Sequence, residues 1–245
     1  MWMKVVFSRK GFDSSAGGGP SPIVGGRAIS LPIPAGRGAS ATTYGTLRLG
    51  GHARRASGGR LSGRHRCHHD PRFLPDGSAM LGQCGAAQTH LENRGVGMGD
   101  VFVFFGLFCE GAAAPHHRIF GYLQVEEVLP LKDAPKGRVA ALAELGMPHA
   151  IAMETGNDAV WIGRGATNAP ACEELRLTVP GGPLTLWQVP PWLTETGLSY
   201  HGRADRWLPD HRLQSVSRGQ EFVADIGERE DAREWLRAVI AAIES

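Results

Sequence analysis

Hydrophobic residues in this chain cluster in short runs, and the strongest run lies near its middle. Residues 101–108 are continuously apolar and rich in Val and Phe, and the Gly99-Asp100 pair before them is typical of a turn. A run this short and continuous favours a fully buried strand over a helix. Residues 119–128 follow at hairpin distance, and Gly121 marks a place where the backbone needs room for a bulge or a ligand. The pattern therefore predicts a β-hairpin.

The remaining runs predict further strands and a C-terminal helix. Strands are expected at residues 3–7, 46–49, 159–162 and 184–189, a short helix at 139–145, and an extended fragment at 31–34, while 173–177 is ambiguous. In residues 229–244 apolar side chains recur every three or four positions, and Glu230 and Asp231 lie near the positive end of the predicted helix. This order of elements predicts one α+β domain over residues 1–245.

Charge is nearly balanced overall but not along the chain. The formal net charge is +2, so bulk electrostatics do not require a nucleic-acid partner. Between residues 27 and 73, however, Asp70 is the only acid, and the arginines are Arg27, Arg37, Arg48, Arg54, Arg55, Arg60, Arg64, Arg66 and Arg72. Residues 37–66 are also rich in Gly, and they predict a surface excursion that either contacts phosphate or is a solvated loop.

The cysteines and the hydropathy pattern indicate where the protein is expected to be found. Cys67, Cys84, Cys109 and Cys172 form no CxxC pair, and the apolar run at the N-terminus is far shorter than a signal peptide. No stretch approaches the roughly 20 apolar residues of a membrane span. We therefore expect a cytoplasmic protein with reduced thiols and no membrane partner.

The first group with chemical potential follows the predicted N-terminal strand. Arg9, Lys10, Asp13 and Ser14 precede the glycines at positions 17–19, whose backbone N–H groups could converge on an anion. Neither GxxxxGK[ST] nor GxGxxG is present. The segment is a candidate phosphate or nucleotide cradle, and the alternative is a glycine-rich turn with ordinary surface charges.

The second group is the sequence HRCHHDP at residues 65–71. Asp70 could orient His68 as a general acid/base pair, and His, Cys and Asp are also competent transition-metal ligands. A closed zinc site would need further ligands that no spacing identifies, and a polar turn before Pro71 is the third interpretation. We assign no metal and specify no cofactor from this pattern.

Two further groups could recognise a nucleotide. Gln83, Gln88 and His90 offer donors and acceptors suited to a base edge, although residues 89–93 could equally form a capped helical turn. Near the C-terminus His201 and Arg206 lie among aromatic residues that could stack on a base, or that could belong to the core.

Several irregular motifs together resemble a known family. They are SRKGFDSSAGGGPSPI, LPIP, HHDP, GQCGAAQTHLENRGVGMGDVFVFFGLF, RIFGYLQV, LSYH with RW, and RGQEFV, in this order. The chain resembles the third type of nucleotide-modification-associated domain, and its hairpin resembles PUA, ASCH and EVE domains. The resemblance implies a PUA-like mixed or antiparallel β-barrel core with peripheral helices, in a protein of phage and bacterial DNA-modification systems. His69 departs from the family pattern, which has an apolar residue there.

The resemblance implies either an enzyme or a reader. In an enzyme using transferase or glycosidic-bond chemistry, we expect Asp13, His68 and Asp70 to be catalytic. The residues expected to bind the nucleotide are Arg9, Lys10, Ser14, Gln83, Gln88, His90, His201 and Arg206. A non-catalytic reader would bind modified bases by stacking and hydrogen bonds alone. In both cases the expected partner is a nucleotide or DNA containing modified bases, and the resemblance leaves protein partners open.

Overall fold

The computed structural model describes residues 2–36, 38, 40–217, 219 and 221–245. Its strands are β1 (Met3–Arg9), β2 (Ser21–Val24), β3 (Arg27–Ala28), β4 (Arg72–Phe73), β5 (Ser78–Gln83), β6 (Val101–Cys109), β7 (His116–Pro130), β8 (Ala159–Thr167), β9 (Leu186–Gln188), β10 (Trp207–Leu208), β11 (Arg212–Gln214) and β12 (Glu221–Gly227). Its α-helices are α1 (Gly50–Ala56), α2 (Gly85–Asn93), α3 (Lys136–Glu144), α4 (Pro148–Ile151), α5 (Pro191–Thr196) and α6 (Glu230–Glu244). Arg37 and two residues of the RGQEFV motif lie outside the described residues.

The predicted α+β class is confirmed. The main sheet is mixed and curls into a half-barrel, with the strand order β12-β1-β6-β7-β8-β5-β4. β1 is parallel to β6 and antiparallel to β12, and the pairs from β6 through to β4 are antiparallel. A second sheet has the order β10-β11-β9. Because the main sheet curls, side chains from β12 and β5, which are not neighbours in it, come into contact.

The predicted hairpin is present as β6 and β7. Their register shifts between Phe104 and Phe105, opposite Gly121, so the sheet has an irregularity at the predicted glycine. A Cβ on Gly121 would lie 2.6 Å from the carbonyl oxygen of Ala166, which explains why a residue without a side chain is needed there.

Burial on both faces of β6 explains its continuous apolar sequence. Val103 and Phe105 pack in one hydrophobic cluster together with residues of α6, whereas Phe102 and Phe104 pack in a second cluster with Trp161 of β8. A strand that faces two cores needs no polar alternation. The predicted C-terminal helix is also confirmed, and its buried residues are Ala232, Leu236, Val239 and Ile243.

The arginine-rich excursion differs from its prediction. The strand expected at residues 46–49 is wrong: those residues form turns, and α1 follows directly. Tyr44 is completely buried there beside Phe12, Leu31 and Cys67, and its hydroxyl donates a hydrogen bond to the carbonyl of Pro32 at 2.8 Å. The segment is thus packed around one aromatic side chain, while its arginines 48, 54, 55, 60, 64 and 66 are exposed. Among the described helices none is long and apolar enough to cross a membrane.

Candidate functional site

The cavity that brings most of the predicted residues together lies where the two ends of the curled sheet meet. It has a volume of about 470 Å³ and is bounded by the end of β1, the end of β5, the segment before β4, α4 and the chain just before β12. Its lining residues are Arg9, Lys10, Gly11, Asp13, Ser15, Ala16, Ile33, His68, Asp70, Gly82, Gln83, Cys84, His149, Glu154, Ser217 and Gly219. Most of these are polar, so the wall of the cavity offers hydrogen-bond donors and acceptors.

Asp70 lies at the centre of the polar wall. Its side chain is 4% exposed, and both carboxylate oxygens accept a hydrogen bond from the backbone N–H of Gly82 at 3.0 Å. Burial alone would raise the pKa of this carboxyl, but contacts with His68 and the charge of Lys10 hold its pKa below the usual value. Asp70 is therefore a carboxylate at neutral pH.

Two imidazoles face this carboxylate. The Nε2 atoms of His68 and His149 lie 3.7 Å and 3.8 Å from Oδ2 of Asp70, and the two rings meet edge to face with centroids 5.2 Å apart. His68 is held by its backbone N–H, which donates to the carbonyl of Ile33 at 2.8 Å. The predicted pair of His68 and Asp70 thus shares its wall of the cavity with a second histidine.

The position of His149 is fixed from behind. Its Nδ1–H donates to Oδ1 of Asp158 at 2.9 Å, and Asp158 also accepts from the backbone N–H of Glu154 and of Thr155. Gly82 makes room for the ring, because a Cβ there would lie 2.2 Å from Cδ2 of His149. Gly82 therefore has two roles: its N–H donates to Asp70, and its lack of a side chain leaves space for the imidazole of His149.

Lys10 lines the cavity and belongs to a buried polar network. Its ammonium contacts Oε1 of Glu221 at 3.0 Å, and that oxygen also accepts from the hydroxyl of Ser8 and from Nε2 of Gln83. Glu221 starts β12 and Gln83 ends β5, so this network joins the two ends of the curled sheet. The Oε2 atom of Glu221 is buried and has no hydrogen-bond partner among the described residues.

Arg9, Asp13 and Ser14 show how the predicted cradle is built. Arg9 donates to the carbonyls of Val216 and Ser217 at 3.1 and 2.7 Å, and burial lowers its pKa, an effect that Asp13 partly offsets. Oδ1 of Asp13 accepts from the backbone N–H groups of Ser15 and Ala16, so this carboxylate shapes the loop. Ser14 is exposed and does not line the cavity. The catalytic role of Asp13 stays a prediction.

Four other predicted ligand residues lie outside this cavity. Gln88 is buried in α2 and accepts from the indole N–H of Trp161, while His90 contacts the hydroxyl of Ser199 at 3.0 Å. His201 is completely buried among backbone groups, and Arg206 donates to the carbonyl of Gln214. The cavity therefore unites Arg9, Lys10, Asp13, His68, Asp70 and Gln83, but not these four.

Sequence reasoning missed His149, Asp158 and Glu221. His149 and Asp158 belong to no recognised motif, and they approach Asp70 only through the pairing of β5 with β8 and the placement of α4. Glu221 lies inside the RGQEFV motif, and its position as an acid at the start of a strand could have indicated its role in the site. An acid that close to the apolar residues Phe222 and Val223 requires a buried partner.

Comparison with known proteins identifies the family of this chain. No curated protein and no solved structure matches the chain. The family model described as nucleotide modification associated domain 3 matches residues 4–225, which include every described residue lining the cavity. The chain therefore belongs to the nucleotide modification associated domain 3 family.

Proposed function

We propose that this protein is an enzyme acting on a nucleotide or on a base in DNA, with Asp70 and its two histidines as the reacting centre. The observation that carries the proposal is a buried carboxylate, fixed by the Gly82 N–H, with imidazole nitrogens of His68 and His149 within 4 Å on a cavity wall. A carboxylate and imidazoles held in place beside a cavity are groups that acid–base catalysis uses. Membership of the family supports a nucleotide-related substrate.

The cationic side of the cavity suits the phosphate of such a substrate. Lys10 has donors beyond the one that meets Glu221, and Arg9 also lines the cavity. Gln83 can offer its amide oxygen while its NH₂ group remains on Glu221. We therefore assign Arg9 and Lys10 to phosphate, Gln83 to a polar edge of the substrate, and the Asp70 centre to the bond that changes.

Glycosidic-bond chemistry fits this assignment without a further substrate. Water adds to the anomeric carbon, the bond from that carbon to the base breaks, and the base leaves with the electron pair and takes a proton. One member of the Asp70 centre accepts the proton of water and a histidine supplies the proton of the base. A group-transfer reaction at the same centre would use a donor molecule in place of water.

A reader of modified bases is the second candidate, and it would use a PUA-like pocket. Such a reader depends on stacking the base between aromatic or apolar side chains. The described lining residues include no Phe, Tyr or Trp. This composition favours the enzyme over the reader. Separately, the four free cysteines support the proposal of a cytoplasmic location.

Mass spectrometry of nucleosides and small products tests the proposal. Purified protein is incubated with modified phage DNA and, separately, with a nucleotide pool, with and without divalent metal. We expect a new nucleoside or a released base, and a loss of at least about 100-fold in rate for Asp70→Asn. Asp210→Asn is the matched control, because Asp210 is 77% exposed and does not line the cavity.

Each outcome decides between the candidates. Turnover that survives Asp70→Asn at the level of Asp210→Asn would remove Asp70 from the reacting centre. Unaltered DNA and nucleotides, together with a ligand retained on the protein, would replace the enzyme with a reader. A product from free nucleotides but not from DNA would identify the smaller substrate.

A further inference from the structure

We propose that the cavity binds one divalent transition-metal ion through Nε2 of His68, Oδ2 of Asp70 and Nε2 of His149. The role of this ion in catalysis rests on the function proposed above and changes one part of it. Histidines bound to the ion through Nε2 would hold it instead of supplying a proton, and the ion would supply the activation of water. Binding of the ion can be measured without any turnover. The sequence left a metal at His68 and Asp70 as one of three alternatives, and it gave no indication of His149. With His149 the site has three ligands, the number that protein residues supply in catalytic zinc sites.

The distances between these atoms suit a shared ion better than direct hydrogen bonds. The two nitrogens lie 3.7 Å and 3.8 Å from Oδ2 of Asp70, and the three ligand atoms lie within 4.8 Å of one another. Hydrogen bonds of this type are about 2.7–3.2 Å long. Two metal bonds of about 2.1 Å at a tetrahedral angle separate their ligand atoms by about 3.4 Å, so small side-chain rotations complete the site.

The hydrogen bond behind His149 leaves its other nitrogen available as a ligand. Nδ1 of His149 is paired with Oδ1 of Asp158, so Nε2 is the ring nitrogen that faces Asp70 and the cavity. The charge of the Asp70 carboxylate attracts a cation to the space between its Oδ2 atom and Nε2 of His149. A carboxylate that orients the far nitrogen of a histidine is also the usual support of a metal ligand.

The three ligands leave the remaining coordination positions toward the cavity. Two histidines and one carboxylate with open positions form the arrangement of catalytic zinc and non-haem iron sites. Lys10, Arg9 and Gln83 line the same cavity, so a substrate oxygen or water on the ion would lie near the residues assigned to phosphate and to the substrate edge. The chemical class of the ion is a borderline cation such as Zn²⁺, Fe²⁺ or Co²⁺.

A neighbouring cluster of Cys84, His149 and Asp158 is less suitable. Its use of Nδ1 of His149 would break the hydrogen bond to Asp158, and Asp158 already accepts from Glu154 and Thr155. Burial and the nearby Glu154 raise the pKa of the Cys84 thiol to about 11, so the thiolate is scarce at neutral pH. The two clusters share only His149, which makes them separable by mutation.

Titration of the metal-free full-length chain with Co²⁺ tests the site, because bound Co²⁺ shows visible absorption bands that report its nitrogen and oxygen ligands. We expect one ion per chain, displaced by Zn²⁺, and an affinity at least 100-fold weaker in His149→Gln. His68→Gln gives an independent reading if the buried substitution impairs folding, and circular dichroism checks each variant. His52→Gln, on the surface of α1, and Cys84→Ser should bind like the wild type.

Results that contradict the metal site differ from results that contradict the proposed function, because binding and turnover are measured separately. No bound Co²⁺ at millimolar concentration, or binding that survives both His149→Gln and His68→Gln, would overturn the metal site. Loss of binding in Cys84→Ser would move the ion to the neighbouring cluster. Turnover that persists in the chelator-treated chain would reject a catalytic role for the ion, while the proposed enzymatic function would stand. Bound metal without any turnover would reject the enzymatic function, while the metal site would stand.

Discussion

His149 and His201 are both almost completely buried, yet their rings meet different kinds of partners. His149 lies between the carboxylates of Asp158 and Asp70, and its ring borders the cavity. His201 contacts the carbonyl of Ser199 through Nδ1 at 2.8 Å, while its Nε2 accepts from the backbone N–H of Val216 at 3.1 Å. One ring thus has a nitrogen left for chemistry, and both nitrogens of the other are occupied by the main chain.

The comparison teaches that burial alone does not separate a reactive histidine from a structural one. What separates them is the charge and the number of their hydrogen-bond partners. His201 still serves the site indirectly, because the Val216 segment that it holds also accepts the hydrogen bonds of Arg9. We therefore propose that His201 positions the loop and that His149 is a member of the site, while nucleotide binding by His201 stays a prediction that the variants below test.

The strongest test of this comparison replaces each histidine in turn and measures both turnover and the free energy of unfolding. In His149→Gln we expect turnover to fall at least about 100-fold with little change in the free energy of unfolding, since Asp158 keeps its bonds from Glu154 and Thr155. In His201→Ala we expect unfolding to become easier by about 2–4 kcal/mol, because the N–H of Val216 loses its acceptor and a cavity opens beside Phe222. Nucleoside mass spectrometry and urea unfolding measure the two quantities.

The opposite results would show that the two histidines do not differ in the way proposed. If His201→Ala abolished turnover at full stability, His201 would be a ligand-binding residue, as its sequence context suggested. If His149→Gln unfolded the chain and the residual folded protein retained full turnover, His149 would be structural.

A smaller effect is expected when His149 is displaced without being replaced. Gly82→Ala places a Cβ 2.2 Å from the His149 ring, and the ring must rotate away from Asp70. We expect turnover to fall about 10-fold or more, because a misplaced catalytic group costs that much even when it is present. Gly137→Ala in α3 is the matched control, since its Cβ meets no atom within 4 Å. Equal activity in the two variants would show that the position of the ring does not matter.

The sequence predicted the elements that local patterns define, and it named six of the sixteen described residues that line the cavity. The apolar run of β6, the bulge opposite Gly121 and the periodicity of α6 each depend on residues close together in the chain. Arg9, Lys10, His68, Asp70 and Gln83 were found because they occur in short polar clusters near strand ends. Such clusters are visible without knowledge of tertiary contacts.

The failures have a common physical cause, which is dependence on contacts between distant parts of the chain. Residues 46–49 resemble a strand in composition, but the packing of Tyr44 against Phe12 and Leu31 favours turns and α1. The base-reading role of Gln88 stays a prediction, but its contact with the indole N–H of Trp161 on β8 also depends on tertiary structure and could not be predicted from the sequence. His149 becomes part of the site only through the absence of a side chain at Gly82.

The smallest expected effect concerns the pH dependence of stability at His201. Burial lowers the pKa of this imidazole, the Ser199 carbonyl partly opposes that effect, and the charge of Arg206 adds to it. The unfolded chain has the ordinary pKa of about 6.5, so below that pH it binds more protons than the folded state. The stability contributed by the neutral ring is therefore complete above about pH 6.5 and is lost as the pH falls through the folded pKa.

A non-titrating variant isolates this contribution. Relative to the wild type, His201→Gln should lose less stability between pH 7.5 and pH 5, by on the order of 1 kcal/mol, in urea unfolding followed by tryptophan fluorescence. The difference between the two proteins cancels the titration of other groups, such as His69 and His117, whose pKa values burial lowers to about 4. His211→Gln, at an exposed position, should follow the wild type. A stability difference that stays constant across this range would mean that His201 is not held neutral by the fold, and the contrast with His149 would then lose its electrostatic basis.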